Sequence, residues 1–268
     1  MSTRISIPRG IPPPLSDELS MLFSDHFEHF VRNDPVYLGL NCVTWKLPFP
    51  VERLSLLPLE LTPELVFRSP LDKVLCRIIT CWDASERTTL VDEFLTKLFS
   101  TSLFGQVYEI LFARNATQLT RPRFELAFKQ VWFGQYSWDN MSNRRLQTCG
   151  FQHVYVGGKE ENRVKGLHNW MRYYHLEKCA RLVLETVHRK HPGLHLASMR
   201  FRWDDALKPY GTIFFGIPIH FEILIFFCAF LVGSGRDVNF LIDGKQSTVV
   251  CYDATSQVDT LATAYFRY

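Results

Sequence analysis

A chain of 268 residues is long enough for one large domain or two lobes around a shared core. Hydrophobic residues at 47% against 21% charged exclude a disordered chain, and a net charge of only +3 excludes a global polycation, so any nucleic-acid binding must use a local basic patch. The N-terminal stretch "MSTRISIPRGIPPPLSDELS" lacks the apolar core of a secretory signal, and the most membrane-like run, "ILIFFCAFLV" at 223–232, is too short to cross a bilayer; the expected location is the cytoplasm.

In chain order, residues 1–15 read as an extended Pro-rich tail through Pro12, Pro13 and Pro14. "SDELSMLFSDHFEHFV" carries Leu19, Leu22, Phe23, Phe27 and Phe30 at helical spacing, with Ser16 as its cap. "SERTTLVDEFLTKLFSTSLFGQVYEILFAR" predicts two helices broken near Thr101 and Ser102. "RPRFELAFKQVWFGQY" starts after a proline and puts Phe124, Phe128 and Trp132 on one face. Beyond about residue 145 the pattern changes. "FQHVYVG" alternates like a strand, and "HNWMRYYHLEKCARLVLETVHRK" reads as one long amphipathic helix stopped by Pro192-Gly193. "LASMRFRW" and "GTIFFGI" are strands, residues 221–232 a buried helix, and "DVNFLI", "STVVCYD" and "LATAYFRY" strands again, with "DGK" at 243–245 as a hairpin turn. The expected fold is α+β: a mainly helical lobe over 16–145 and a lobe of antiparallel sheets with packed helices over 146–268.

The cysteines, Cys42, Cys76, Cys81, Cys149, Cys179, Cys228 and Cys251, are odd in number and show no zinc-like spacing, so reduced thiols are expected. His188, His191 and His195 invite a zinc reading, but Pro192-Gly193 keeps the three rings off one helix face, and a frayed, solvated helix end is the plainer account. His153, His168, Lys208 and Tyr265 each have an ordinary structural explanation when taken alone. Together, two histidines and a lysine suit transphosphorylation of RNA. One imidazole takes the ribose 2′-OH proton, the other protonates the leaving 5′ oxygen, and an ammonium neutralises the phosphorane. Composition and spacing alone leave this one option among several.

The motifs narrow the choice. "GFQHVYVGG", "GLHNWMRYY", "FRWDDALKPYGTIFFG", "FEILIFFCAF" and "TAYF", in that order, resemble the "GFEHVF-GE", "GFHNW", "FSW…KPKGS-FIG", "FEFALYTLCF" and "TAY" or "TTY" elements of the EndoU (XendoU-like) family of poly(U)-preferring endoribonucleases. Upstream, "WFGQY" and "DEFLTKLFSTSLFGQVYEIL" are similar to further family elements, so the resemblance runs from about residue 85 to 268. It implies an endoribonuclease that cleaves single-stranded RNA 3′ of uridine and leaves a 2′,3′-cyclic phosphate. Position by position, it implies His168 as general base, His153 as general acid and Lys208 as the catalytic lysine, all facing one solvent-open cleft. Thr212 and Thr263 would face the uracil, and Tyr265 would stack on the ribose or base.

The chain departs from the pattern at two places. Where relatives carry glutamates tied to manganese dependence, this chain has Gln152 and Gly158. Manganese as a cofactor therefore rests on the resemblance alone, with Glu160 and Glu161 as nearby substitutes. The expected partner is U-containing single-stranded RNA, bound by a monomer and away from membranes. The alternative function is a catalytically silent RNA-binding module on the same scaffold, and a metal hydrolase built on the 188–195 histidines ranks third.

Overall fold

A computed structural model describes residues 13–34, 37, 57, 61–82, 85–136, 148–233, 237–254 and 257–267. Helix α1 (Pro13–Asn33) begins earlier than expected: Pro13, Pro14 and Leu15 form its first turn, where the missing amide costs no helical hydrogen bond, and Ser16 lies inside the helix. Leu19, Phe23 and Phe27, each four residues apart, are buried on one face. Phe23 meets Phe221 and Phe240 edge-on at 5.5 and 5.9 Å. Short α2 (Pro63–Val66) leads to α3 (Pro70–Thr80), which opens with a capping box between Ser69 and Asp72. Helices α4 (Arg87–Phe99) and α5 (Ser102–Ala113) break where expected, because the Thr101 hydroxyl accepts from Phe104 N and starts a new helix. On α6 (Arg121–Phe133), Phe124, Phe128 and Trp132 are all buried.

The strands among the described residues lie after residue 157. A five-stranded sheet has the order β1-β2-β5-β4-β3, built from β1 (Gly158–Glu160), β2 (Arg163–Lys165), β3 (Leu182–Lys190), β4 (Leu196–Trp203) and β5 (Ala206–Phe214). A three-stranded sheet, β6-β7-β8, comprises β6 (Asp237–Ile242), β7 (Lys245–Ala254) and β8 (Gln257–Arg267). The β6–β7 turn matches its sequence, since Asp243 and Gly244 have φ of 52° and 66°, the pair of positive values a tight hairpin needs. Pairing is antiparallel except between β2 and β5, which meet in parallel at Arg163 and Leu207.

Two expectations fail in instructive ways. "FQHVYVG" is not a strand: Gln152–Val156 forms a π-helical turn continuing from Gly150 and Phe151. Alternation over so few residues did not separate the two, and here a wide turn buries Phe151, Val154, Tyr155 and Val156 together. The long helix after His168 is really α7 (Trp170–Lys178) followed by β3. Ala180, at φ 55°, turns the chain, and "LVLETVHRK" then pairs with β4 instead of continuing the helix. Cross-strand pairing outweighs a helical periodicity that the same residues also satisfy.

Helix α8 (Ile219–Gly233) carries apolar residues all round except at His220 and Glu222, and is accordingly buried, with Phe221–Leu231 wholly inside. It packs on the β6–β8 sheet, α1, α3 and α5, and so joins the helices to the strands. No helix among the described residues is long and apolar enough to cross a membrane. Cys76, Cys81, Cys149, Cys179, Cys228 and Cys251 form no disulfide, and Cys42 lies outside the described residues.

Candidate active site

Fifteen residues separate His153 from His168 in sequence, and backbone hydrogen bonds close that gap. Leu167 N donates to His153 O and His168 N donates to Val154 O, both at 2.9 Å, so the second histidine is laced onto the first one's turn. The crossing demands glycine at 166. Its φ is 65°, and a Cβ there would sit 1.8 Å from the His153 carbonyl oxygen. The two imidazole centroids end 6.1 Å apart. Arg172, itself buried, fastens the far end of the π-turn by donating to Val156 O and Ile79 O at 3.0 and 2.7 Å.

Lys208 arrives through a bulge. Met199 pairs with Gly211, but Phe201 pairs with Lys208, so β5 holds one residue more than β4 between these pairs. The extra residue turns Lys208 inward while Pro209 and Tyr210 stay exposed. A Cβ on Gly211 would touch the Lys208 stem at 3.3 Å, which shows how closely that stem crosses the strand. The Lys208 ammonium donates to Gly166 O at 2.7 Å, on the same glycine that the two histidines need. Only 7% of His168 and 9% of Lys208 are exposed, and His153 is half-buried. The site is thus more closed than the open cleft expected.

The residues after His168 explain its rigidity. Asn169 caps α7, its side-chain oxygen accepting from Met171 N and Arg172 N at 3.1 Å each. Its amide donates to Glu222 at 2.8 Å, and Glu222 is fully buried in the first turn of α8 beside Phe221 and Ile223. Trp170 donates from its indole to Ile217 O at 2.7 Å. The sequence reading named the histidine of "HNW" and passed over its neighbours. A cap residue immediately ahead of a helix was the available signal for Asn169, whereas Glu222 could be found only from the fold.

Electrostatically the cluster is a group of cations and imidazoles. Burial, then Lys208 and Lys165, push the His153 imidazole down to about 3. Burial, then Lys208 and His153, hold His168 well below its usual range, and a hydrogen bond to the Thr212 backbone pulls the other way. Burial and Lys165 lower Lys208 to about 8. Both rings are therefore neutral near pH 7 while most of the ammonium keeps its proton. Lys208 makes no ion pair among the described residues. A buried cation without a counter-charge is costly, and an anion in its place would relieve that cost. Glu222 shows the opposite: burial raises its carboxyl to about 8, against the pull of Asn169.

Of the residues expected at the substrate, Tyr265 stacks on His168 with centroids 5.2 Å apart and an interplanar angle of 21°. Burial, then the neighbouring Tyr252, raises its phenol above the usual range. Thr263 is two residues away on the same strand, and its hydroxyl is covered and lacks a hydrogen-bond partner among the described residues. Thr212 reaches His168 through its backbone. The 188–195 histidines do not form a frayed helix end. His188 is on β3 and bonds Pro209 O, while His191 and His195 are buried, the latter stacked on Tyr37 at 3.9 Å.

A manganese ion finds no fitting donor set beside His153. The Gln152 side-chain oxygen accepts from the Thr148 hydroxyl at 3.2 Å, Gly158 has no side chain, and Glu160 is exposed and paired with Lys165 at 2.8 Å. Glu161 sits in the β1–β2 turn with φ 50°. Lys208 and Lys165 both act on His153 as cations, and no cluster of three or more metal-ligating side chains exists among the described residues.

The sequence model of the family described as "Endoribonuclease XendoU" matches residues 82–266, well over half of the chain. The chain belongs to this family. Among XendoU relatives, it is similar to poly(U)-specific endoribonuclease-A of Xenopus laevis, at 27% identity over 152 residues covering 54% of this chain and 51% of that protein. It is also similar to the uridylate-specific endoribonuclease of Homo sapiens, at 29% identity over 167 residues covering 60% and 39%. The chain therefore spans about half, or less, of the length of the curated relatives it matches. The solved structure of XendoU, a snoRNA-processing endoribonuclease, superposes with a TM-score of 0.68 at 21% identity, over 93% of this chain and 96% of that one, so the α+β fold is the XendoU fold.

Proposed function

We propose that the protein is an endoribonuclease that cleaves single-stranded RNA 3′ of uridine by transphosphorylation. The observation that carries this reading is the buried Lys208 ammonium, without an ion-pair partner among the described residues, beside two imidazoles 6.1 Å apart. A phosphodiester supplies the missing negative charge, and one ring on either side of it suits an in-line displacement.

In this mechanism neutral His168 takes the 2′-OH proton as the 2′ oxygen attacks phosphorus. The bond from phosphorus to the 5′ oxygen breaks, and His153 gives that oxygen its proton, leaving a 2′,3′-cyclic phosphate and a 5′-OH. Lys208 stabilises the charge on the non-bridging oxygens as it builds up. His153 is neutral in the free protein, so it must gain its proton together with the substrate. Burial, then Lys208 and Lys165, depress the ring, and the phosphate's charge opposes all three by favouring the imidazolium. Tyr265 and Thr263 are assigned to the uridine, the first by stacking and the second by its hydroxyl, and Thr212 to the same pocket. The proposed steps involve no metal, since Gln152, Gly158 and the Lys165-paired Glu160 offer manganese no set of carboxylates beside His153 among the described residues.

The test is incubation of the purified protein with an end-labelled single-stranded oligonucleotide containing one uridine, with and without EDTA. Cyclic-phosphate ends 3′ of the uridine are expected in both conditions. An intact oligonucleotide that is retarded on a gel would assign the chain to silent RNA binding instead.

A further inference from the structure

The outer face of the five-stranded sheet carries a pair of rings that the site above does not use. Tyr210 is 71% exposed, among the most exposed large side chains described, and it lies two residues from Lys208 and two from Thr212. Its ring stacks on His188 with centroids 4.6 Å apart at 28°, and His188 is held by a hydrogen bond to Pro209 O at 3.0 Å.

Two irregularities bring these rings together across β4. The β3–β4 register shifts between Val187 and Arg189, at His188, and the β4–β5 register shifts opposite Pro209 and Tyr210. Bulges re-aim side chains, and two flanking one strand are what let rings from its two neighbours meet over it. His188 covers one face of the tyrosine, and the large exposure leaves the other face to solvent.

The surroundings are cationic. Arg189, Ser198 and Thr212 form one cross-strand row, and Arg200 and Arg202 both bond the single carboxylate of Glu185, at 2.6 and 2.7 Å. Arg189 makes no ion pair among the described residues. Arg200 and Arg202 thus share one carboxylate, and Arg189 adds a third guanidinium to the strands beside the open aromatic ring.

We infer that Tyr210, backed by His188, is a stacking platform for an unpaired nucleobase next to the scissile uridine, with the arginines of this face holding the flanking phosphates. The inference rests on the endoribonuclease reading for the direction of the strand, since β5 itself links Lys208 to Tyr210. An aromatic face takes any base, and guanidiniums beside it follow the backbone, so the subsite would favour single strands without choosing sequence. A duplex, whose bases are already stacked, gains nothing from it.

The test is binding of a 2′-fluoro oligouridine about ten nucleotides long, which lacks the attacking hydroxyl, to the full chain and to Tyr210→Ala and Tyr210→Phe variants. Tyr210→Ala is expected to weaken binding roughly tenfold, Tyr210→Phe to stay close to wild type, and uridine monophosphate and duplex RNA to bind all three alike. Matched thermal unfolding of the variants, expected because the ring is exposed, guards against a folding effect. Equal affinity of Tyr210→Ala and wild type, or a Phe variant as weak as Ala, would reduce the two rings to an ordinary surface pair. Wild-type binding without cleavage of the ribose form would overturn the nuclease reading alone, with the platform still judged by the variants. A wild type that does not bind the oligonucleotide overturns both.

Discussion

The carbonyl of Gly166 accepts a 2.7 Å hydrogen bond from the Lys208 ammonium, and the space above that glycine is filled by the carbonyl of His153. One residue without a side chain thus sets the positions of all three groups assigned to the chemistry.

Gly166→Ala is expected to disable the protein. The new Cβ would meet the His153 carbonyl oxygen at 1.8 Å, at a φ of 65° that alanine rarely adopts. A loss of stability of about 1–3 kcal/mol by urea unfolding is expected, together with loss of cleavage. Unchanged activity would mean that the π-turn and the His168 segment move independently.

Lys208 sets an alkaline limit. With its pKa lowered to about 8, the ammonium is lost as pH rises through that value, and kcat/KM for an oligouridine should fall with it. Lys208→Arg should remove that alkaline limb because guanidinium keeps its proton. Lys208→Ala should lower kcat by about two orders of magnitude or more with a smaller change in KM, as expected of a group that acts on transition-state charge. An equal loss in Lys208→Ala binding and turnover would contradict the assigned role.

His153 should take up a proton when phosphate binds. Its imidazole is held down to about 3 in the free protein, so at pH 6 an anion beside it can only raise that value. Titration of the His153 ring by NMR, with and without inorganic phosphate, reads the change directly. An unshifted ring in the presence of bound phosphate would remove His153 as the acid.

Stability should depend on pH through two opposed effects. His153, His195 and His220 have folded pKa values of about 3, 4 and 4. Each is below the unfolded value near 6.5, so their contribution is full above about pH 6.5 and is lost as pH falls toward 4 and 3. Glu222 is raised to about 8, so its contribution is full below about 4.5 and is lost as pH rises through 8. Glu222→Gln keeps a polar partner for Asn169 without the carboxyl, and should flatten the alkaline loss while leaving the acid limb. Urea midpoints across this range for both proteins make the measurement.

Tyr265→Ala should reduce turnover and uridine preference by about 1–3 kcal/mol of lost stacking. Thr263→Val should relax the choice between uracil and cytosine, because shape is kept and the hydroxyl is gone. Competition between U- and C-centred oligonucleotides tests both, and a Thr263→Val protein with unaltered selectivity would take that residue out of the pocket.

Much of this protein is determined by sequence alone. The break at Thr101, the face of Phe124, Phe128 and Trp132, the Asp243-Gly244 hairpin and the buried 219–233 helix all follow from local signals, because a cap, a period or a turn is decided by residues close in the chain. The ordered motifs likewise named His153, His168 and Lys208, which the fold brings close together. Tertiary structure decided what depends on distant partners. Residues 152–156 form a π-turn because the loop back to His168 bonds to it, and residues 182–190 form a strand because β4 lies alongside. The inward aim of Lys208 comes from an extra residue in β5 that only the register exposes. Glu222 and Asn169 are 53 residues apart, and nothing in either neighbourhood announces their bond. Local sequence sets backbone preference within a few residues, whereas a catalytic constellation is a sum of long-range contacts, each formed only after the chain has folded.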